Sequence, residues 1–232
     1  MNILFVSFDA SSLSMAWRMK QEGHKIRYWI EDKQEKKVGD GMVDKVDNWE
    51  PSVNWADLVI GDEAHFGKDF DRLRARGVSV VGGTEYTDKL ELDRGFGQEE
   101  MKRAGLTILP HYEFKSCSEA AEFVRKQPAL YVLKPNGKVQ NEKSLTYIGQ
   151  KEDGSDLLQV LECYDRTWGS KINSLELQEK VRGVEVATAA FFNGKKFVEP
   201  VEVSFEHKHF MPGGNLLTGE MGTTMLWTNP TT

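Results

Sequence analysis

The sequence predicts an α/β fold in two parts, a parallel α/β unit at the N-terminus and then an α+β region that closes on an incomplete antiparallel sheet. Three observations carry this reading. Apolar strand-like runs alternate with helical spacing as far as Val81, as they do in parallel units. Gly82-Gly83 then marks a boundary. Further on, Asn193-Gly194 sits between two apolar runs, and that dipeptide supplies the positive φ angles of a tight hairpin turn.

Taken in order, Ile3-Leu4-Phe5-Val6 reads as a strand, with Ser11 and Ser12 as candidate N-caps behind it. Leu13, Ala16, Trp17 and Met19 follow at helical spacing, and Gly23 stops the helix. Lys25 to Ile30 alternates as a second strand. Leu58 to Ile60 and Val78 to Val81 make two more, with a helix from Phe66 to Arg76 between them, closed by Gly77. Asp88-Lys89-Leu90-Glu91 carries a capping-box pattern and opens a helix expected to run to about Ala104. Beyond it, Tyr131 to Lys134 and Thr146 to Ile148 read as strands flanking a polar loop, with helices at Ser118 to Lys126 and Asp156 to Tyr164. Leu175 to Val181 is the next strand, and Val184 to Phe192 and Lys196 to Ser204 form the hairpin. Glu206 to Gly222 is polar and glycine-rich and reads as a loop, of a length that usually serves function. The expected divisions are a domain over 1–85, a linker helix over 86–105, a small subdomain over 106–182 and part of a larger one over 183–232.

Composition narrows the function. Thirty basic against 36 acidic side chains leave a net charge of −6, and the basic residues are scattered, which argues against a nucleic acid partner. Cys117 and Cys163 have no neighbouring Cys or His in metal-binding spacing, so neither a zinc site nor a disulfide scaffold is expected. His207 and His209 lack a third ligand nearby. No apolar run approaches the length of a membrane span or signal segment, and the expected location is the cytoplasm. A strand, turn and helix at the start invite a dinucleotide reading, with Glu31 or Asp32 near the place of a ribose-binding acid. That reading fails on Ser7-Phe8-Asp9-Ala10-Ser11-Ser12, which has no glycine to let the backbone approach a pyrophosphate.

Five segments in one order carry a more specific signal: Leu92-Asp93-Arg94-Gly95-Phe96, Val132-Leu133-Lys134-Pro135-Asn136-Gly137, Glu176-Leu177-Gln178-Glu179-Lys180-Val181-Arg182-Gly183-Val184-Glu185, His207-Lys208, and Thr218-Gly219-Glu220-Met221-Gly222. In this register the chain resembles the phosphoribosylamine-glycine ligases of the ATP-grasp superfamily, most strongly over 88–222. The resemblance implies a Rossmann-like pre-ATP-grasp domain followed by an ATP-grasp domain, here incomplete. It also implies ATP and Mg²⁺ as cofactors, and a carboxylate–amine ligation in purine biosynthesis through an acyl phosphate. Glycine-like and phosphoribosylamine-like molecules would be the substrates.

The same resemblance gives residues their roles. Lys134 and Arg94 would contact the nucleotide's phosphates, Lys134 as a point charge at a strand end and Arg94 bidentately. Gln178, Glu179 and Val181 form the adenine hinge, with the Glu179 carbonyl and the Val181 amide reading the base. Glu185 would accept from the ribose hydroxyls. Lys143 and Lys208 are the catalytic candidates, Lys143 at the γ-phosphate. Lys208 would also balance a bound carboxylate, with Asn215, Thr218, Gly219, Met221 and Gly222 as the substrate-binding segment. After Lys134 the family has a glycine-rich loop, whereas this chain has only Gly137 before Lys138-Val139-Gln140-Asn141-Glu142-Lys143-Ser144. The family's magnesium ligands would fall downstream of Thr232, so a missing C-terminal half is a further expected partner. The alternative is a non-catalytic nucleotide-binding or protein-interaction module.

Overall fold

Ile3-Leu4-Phe5-Val6 has no polar residue to turn toward water, and the structure buries it on both faces of a sheet. The computed structural model describes residues 1–136, 143–168, 172, 174–209 and 217–229. They form two compact units, Met1–Ile108 and Leu109–Thr232.

In the first unit, β1 (Asn2–Ser7), β2 (Lys25–Ile30), β3 (Asp44–Lys45), β4 (Leu58–Gly61) and β5 (Val80–Val81) make one parallel sheet in the order β3-β2-β1-β4-β5. Period-two alternation sends Ile3, Phe5, Tyr28 and Ile60 to one face, where Leu13 and Ala16 of α1 (Leu13–Gln21) cover them. Leu4, Val6 and Val59 take the other face, under Phe70 and Leu73 of α2 (Gly67–Ala75) and Val53 of a 3-10 turn at Glu50–Trp55. Neither β3 nor that turn was expected, since both are short and polar. The strand expected over Val78 to Val81 is confined to Val80–Val81.

The single helix expected from Asp88 to about Ala104 is two helices, α3 (Glu85–Leu92) and α4 (Arg94–Arg103). Thr84, not Asp88, supplies the first cap: its side chain accepts from the Thr87 N–H, and Thr87 answers with its own oxygen. Asp93 breaks the run because its backbone is extended and its carboxylate accepts the Phe96 N–H at 3.0 Å, capping α4. Both helices belong to the first unit.

The second unit opens with β6 (His111–Phe114), which its polar sequence concealed. α5 (Cys117–Lys126), β7 (Tyr131–Pro135), β8 (Tyr147–Ile148), α6 (Ser155–Trp168) and β9 (Leu175–Glu179) follow. Their sheet is antiparallel, ordered β6-β9-β7-β8. α5 and α6 cover one face, packing Ala120, Val124, Leu157 and Leu161 on Tyr131, Leu133, Leu175 and Leu177. β10 (Val186–Phe192), β11 (Phe197–His209) and β12 (Leu217–Thr228) form a second antiparallel sheet, with Gly194 at φ 89° in the expected hairpin turn.

That sheet corrects the loop expected over Glu206 to Gly222. β11 runs on to His209 and β12 begins at Leu217, so only 210–216 remain between them, outside the described residues. Pairing decides the outcome: Phe205 faces Thr224 and Val203 faces Leu226, and these β-forming partners override the glycines. No helix among the described residues is long and apolar enough to cross a membrane.

Cys117, the first residue of α5, faces the core, and burial, then the nearby Asp165 charge, pushes its thiol up to about 11. Cys163 is exposed. Alkylation with iodoacetamide at about pH 8 is therefore expected to modify Cys163 alone, with Cys117 reacting only after denaturation. Mass spectrometry showing rapid double modification of folded protein would contradict this placement.

Candidate functional site

On β7 and β9 the residues that face the helices are Tyr131, Leu133, Leu175 and Leu177. The intervening Val132, Lys134, Glu176 and Gln178 therefore share the opposite face. Antiparallel register sets Lys134 beside Glu176 and Val132 beside Gln178. The Lys134 ammonium reaches diagonally to donate to Gln178 Oε1 at 2.6 Å. Glu176, fully buried, adds a carboxylate to this face that sequence reasoning did not single out. Its signal was present, since it stands two residues before Gln178.

The end of β9 is pinned from both sides. The Glu179 N–H donates to the Pro110 carbonyl and the Lys180 N–H to the Leu130 carbonyl, both at 2.9 Å. Lys180 Nζ donates to the Gly149 carbonyl at 2.9 Å, and the Tyr112 hydroxyl donates to Glu179 Oε1 at 3.4 Å. Regular strand ends at Glu179, so the strand expected to Val181 is two residues shorter. Val181 and Glu185 follow on exposed, irregular chain that bends at Gly183 before β10. Lys180 was not singled out in the sequence, where it reads as one more surface lysine.

The other predicted residues are placed less completely. Arg94 lies in the first unit, half-buried in the first turn of α4. Lys143 opens the 3-10 turn Lys143–Leu145, with its side chain outside the described residues. Lys208 is on β11 and Thr218, Gly219 and Met221 are on β12, with side chains outside the described residues; Asn215 is outside them altogether. Gly222 pairs with His207 across the ladder, so its backbone belongs to a strand rather than to an open anion-binding loop. Among the described residues no group of three or more His, Cys, Asp or Glu side chains is placed to hold a metal ion.

A parallel α/β unit and an antiparallel sheet backed by two helices are the elements of the ATP-grasp ligase fold. The fold agrees with solved members of that class. Phosphoribosylamine–glycine ligase of Thermotoga maritima superposes with a TM-score of 0.64 at 17% identity, over 96% of this chain and 55% of that one. N5-carboxyaminoimidazole synthetase of Staphylococcus aureus complexed with ADP gives 0.54 at 14% identity, over 89% and 54%. The family model of the phosphoribosylglycinamide synthetase ATP-grasp (A) domain matches residues 93–231, and the chain belongs to that family. Phosphoribosylamine–glycine ligase of Methanocorpusculum labreanum is 29% identical over 171 residues, 72% of this chain. This chain spans 38% of that relative's length.

Proposed function

We propose that this chain binds ATP for a carboxylate–amine ligation that runs through an acyl phosphate. The observation that supports it best is the Lys134–Gln178 pair, set on the face of β7 and β9 turned away from the helices. Lys134 would meet the phosphates as a point charge. At the pinned end of β9, the Glu179 carbonyl and Val181 amide would read adenine, and Glu185 would accept from the ribose. Lys143 would contact the γ-phosphoryl group. Lys208, with Asn215, Thr218, Gly219 and Met221, would receive the carboxylate substrate.

In this reaction a carboxylate oxygen attacks the γ-phosphorus and the bond to the β-phosphate oxygen breaks, releasing ADP. The amine nitrogen then attacks the acyl carbon, and phosphate leaves as the amide forms and the nitrogen loses its proton. The protein's contribution is to position the reactants and stabilise charge. Mg²⁺, when bound, neutralises charge on the transferring group. Among the described residues no group of three or more His, Cys, Asp or Glu side chains could hold it. The relatives' name supplies glycine as the model carboxylate.

Glu185→Ala is expected to weaken ATP binding by roughly 1–3 kcal/mol, the scale of a lost hydrogen bond with a charged group. Calorimetry showing unchanged affinity would remove Glu185 from the site. ADP formation that requires both a carboxylate and an amine is the result expected of the ligase. A second reading, a nucleotide-binding module without turnover, draws on the single glycine between residues 137 and 144. ATP bound but never converted, whichever acid and amine are supplied, would favour it.

A further inference from the structure

Antiparallel strands exchange two hydrogen bonds at every closely spaced residue pair, one from each backbone N–H, and a residue's N–H and C=O point to the same side of its strand. Along β9 the sides alternate. The Glu179 N–H donates to the Pro110 carbonyl at 2.9 Å, so Glu179 turns its backbone toward the chain entering β6, while the Lys180 N–H donates to the Leu130 carbonyl on the opposite side. The register of β6 on β9, with His111 beside Gln178, makes Pro110 the residue opposite Glu179. The second bond of that pair would run from the N–H of residue 110 to the Glu179 carbonyl. A proline has no N–H to give. Tyr131, opposite Glu179 on β7, does not replace it, because Tyr131 turns its backbone to β8, where its carbonyl accepts the Gly149 N–H at 2.9 Å.

The ladder therefore ends on half a pair. The Glu179 carbonyl is left without a ladder donor at the last residue of β9, and the bonds of Glu179 and Lys180 to Pro110, Leu130 and Gly149 hold it in place. Pro110 itself is exposed, so its ring fills no core. What it contributes at this position is the missing donor.

We propose that Pro110 is a specificity-determining residue of the nucleotide site: by withholding an N–H, it keeps the Glu179 carbonyl open to the exocyclic amine of adenine. The proposal rests on the reading of the end of β9 as the adenine hinge. A purine with an oxo group in place of the amine brings an acceptor against an acceptor and is disfavoured. Any other residue at position 110 would supply an N–H that competes with the base for the same oxygen.

Pro110→Ala introduces that competing donor at an exposed position. Calorimetry on the whole chain compares ATP with purine riboside 5′-triphosphate, which lacks the exocyclic amine. Wild type is expected to prefer ATP by about fivefold or more, the scale of one hydrogen bond. Pro110→Ala is expected to lose most of that preference by binding ATP more weakly, with its affinity for the analogue unchanged within about twofold. In the ¹⁵N-labelled variant, the new amide at position 110 is expected to exchange slowly with solvent, as a ladder amide does. Equal weakening of both nucleotides, an ATP preference that survives the substitution, or a fast-exchanging amide at position 110 would overturn the proposal and leave ATP binding standing. Wild type that binds neither nucleotide would overturn the ATP reading, and the proposal with it.

Discussion

Leu177→Ala is expected to destabilise the second unit by about 2–5 kcal/mol, the range for large-to-small changes in a close-packed core. Leu177 is fully buried, pairs with Leu133 of β7 and Tyr112 of β6, and joins the cluster beneath α5 and α6. Truncation would remove its transfer free energy and leave a cavity that paired strands on both sides keep from collapsing. Native-state hydrogen exchange gives the cleanest reading, because it resolves the two units. Amides of β7 and β9 should lose that much protection, while those of β1 and β4, in the separate core of the first unit, should keep theirs. A loss below about 1 kcal/mol would mean that Leu177 is not central to this core.

The second large effect concerns Lys134. Replacing it by Met keeps most of the apolar stem and removes the charge, so the sheet should remain folded while ATP affinity falls by about 1.5–3 kcal/mol, or roughly 10- to 150-fold. The ammonium now donates to Gln178 Oε1, and a phosphate oxygen would be a stronger, charged acceptor for the same group. Calorimetry with ATP on wild type and Lys134→Met checks this, with circular dichroism as the folding control. A variant that binds ATP as tightly as wild type would move the phosphates away from β7.

What the sequence made legible follows from periodicity and turn chemistry. Ile3-Leu4-Phe5-Val6 and Tyr131-Val132-Leu133 announce their strands because apolar residues recur at strand spacing, and Asn193-Gly194 announces its turn because Gly194 tolerates a φ of 89°. The loop expected over Glu206 to Gly222 became strand where pairing across β11 and β12 outweighed local glycine content. The break at Asp93 depends on one carboxylate choosing the Phe96 N–H, a competition that helix patterning does not register. Lys134 and Gln178 were each recognisable, but their contact spans 44 residues and exists only in the register of β7 against β9. The Ser12 N–H also donates to Asp62 Oδ2 at 3.0 Å, a contact invisible for the same reason, since it spans 50 residues.

ATP binding across β7 and β9 can be followed by titrating the ¹⁵N-labelled chain with ATP, amide by amide. Saturable shifts are expected at Lys134, Gln178, Glu179, Lys180 and Val181, the residues on the face of β7 and β9 turned away from the helices and at the pinned end of β9. Saturable ATP binding that leaves all five amides unmoved, or no binding at all, would contradict it.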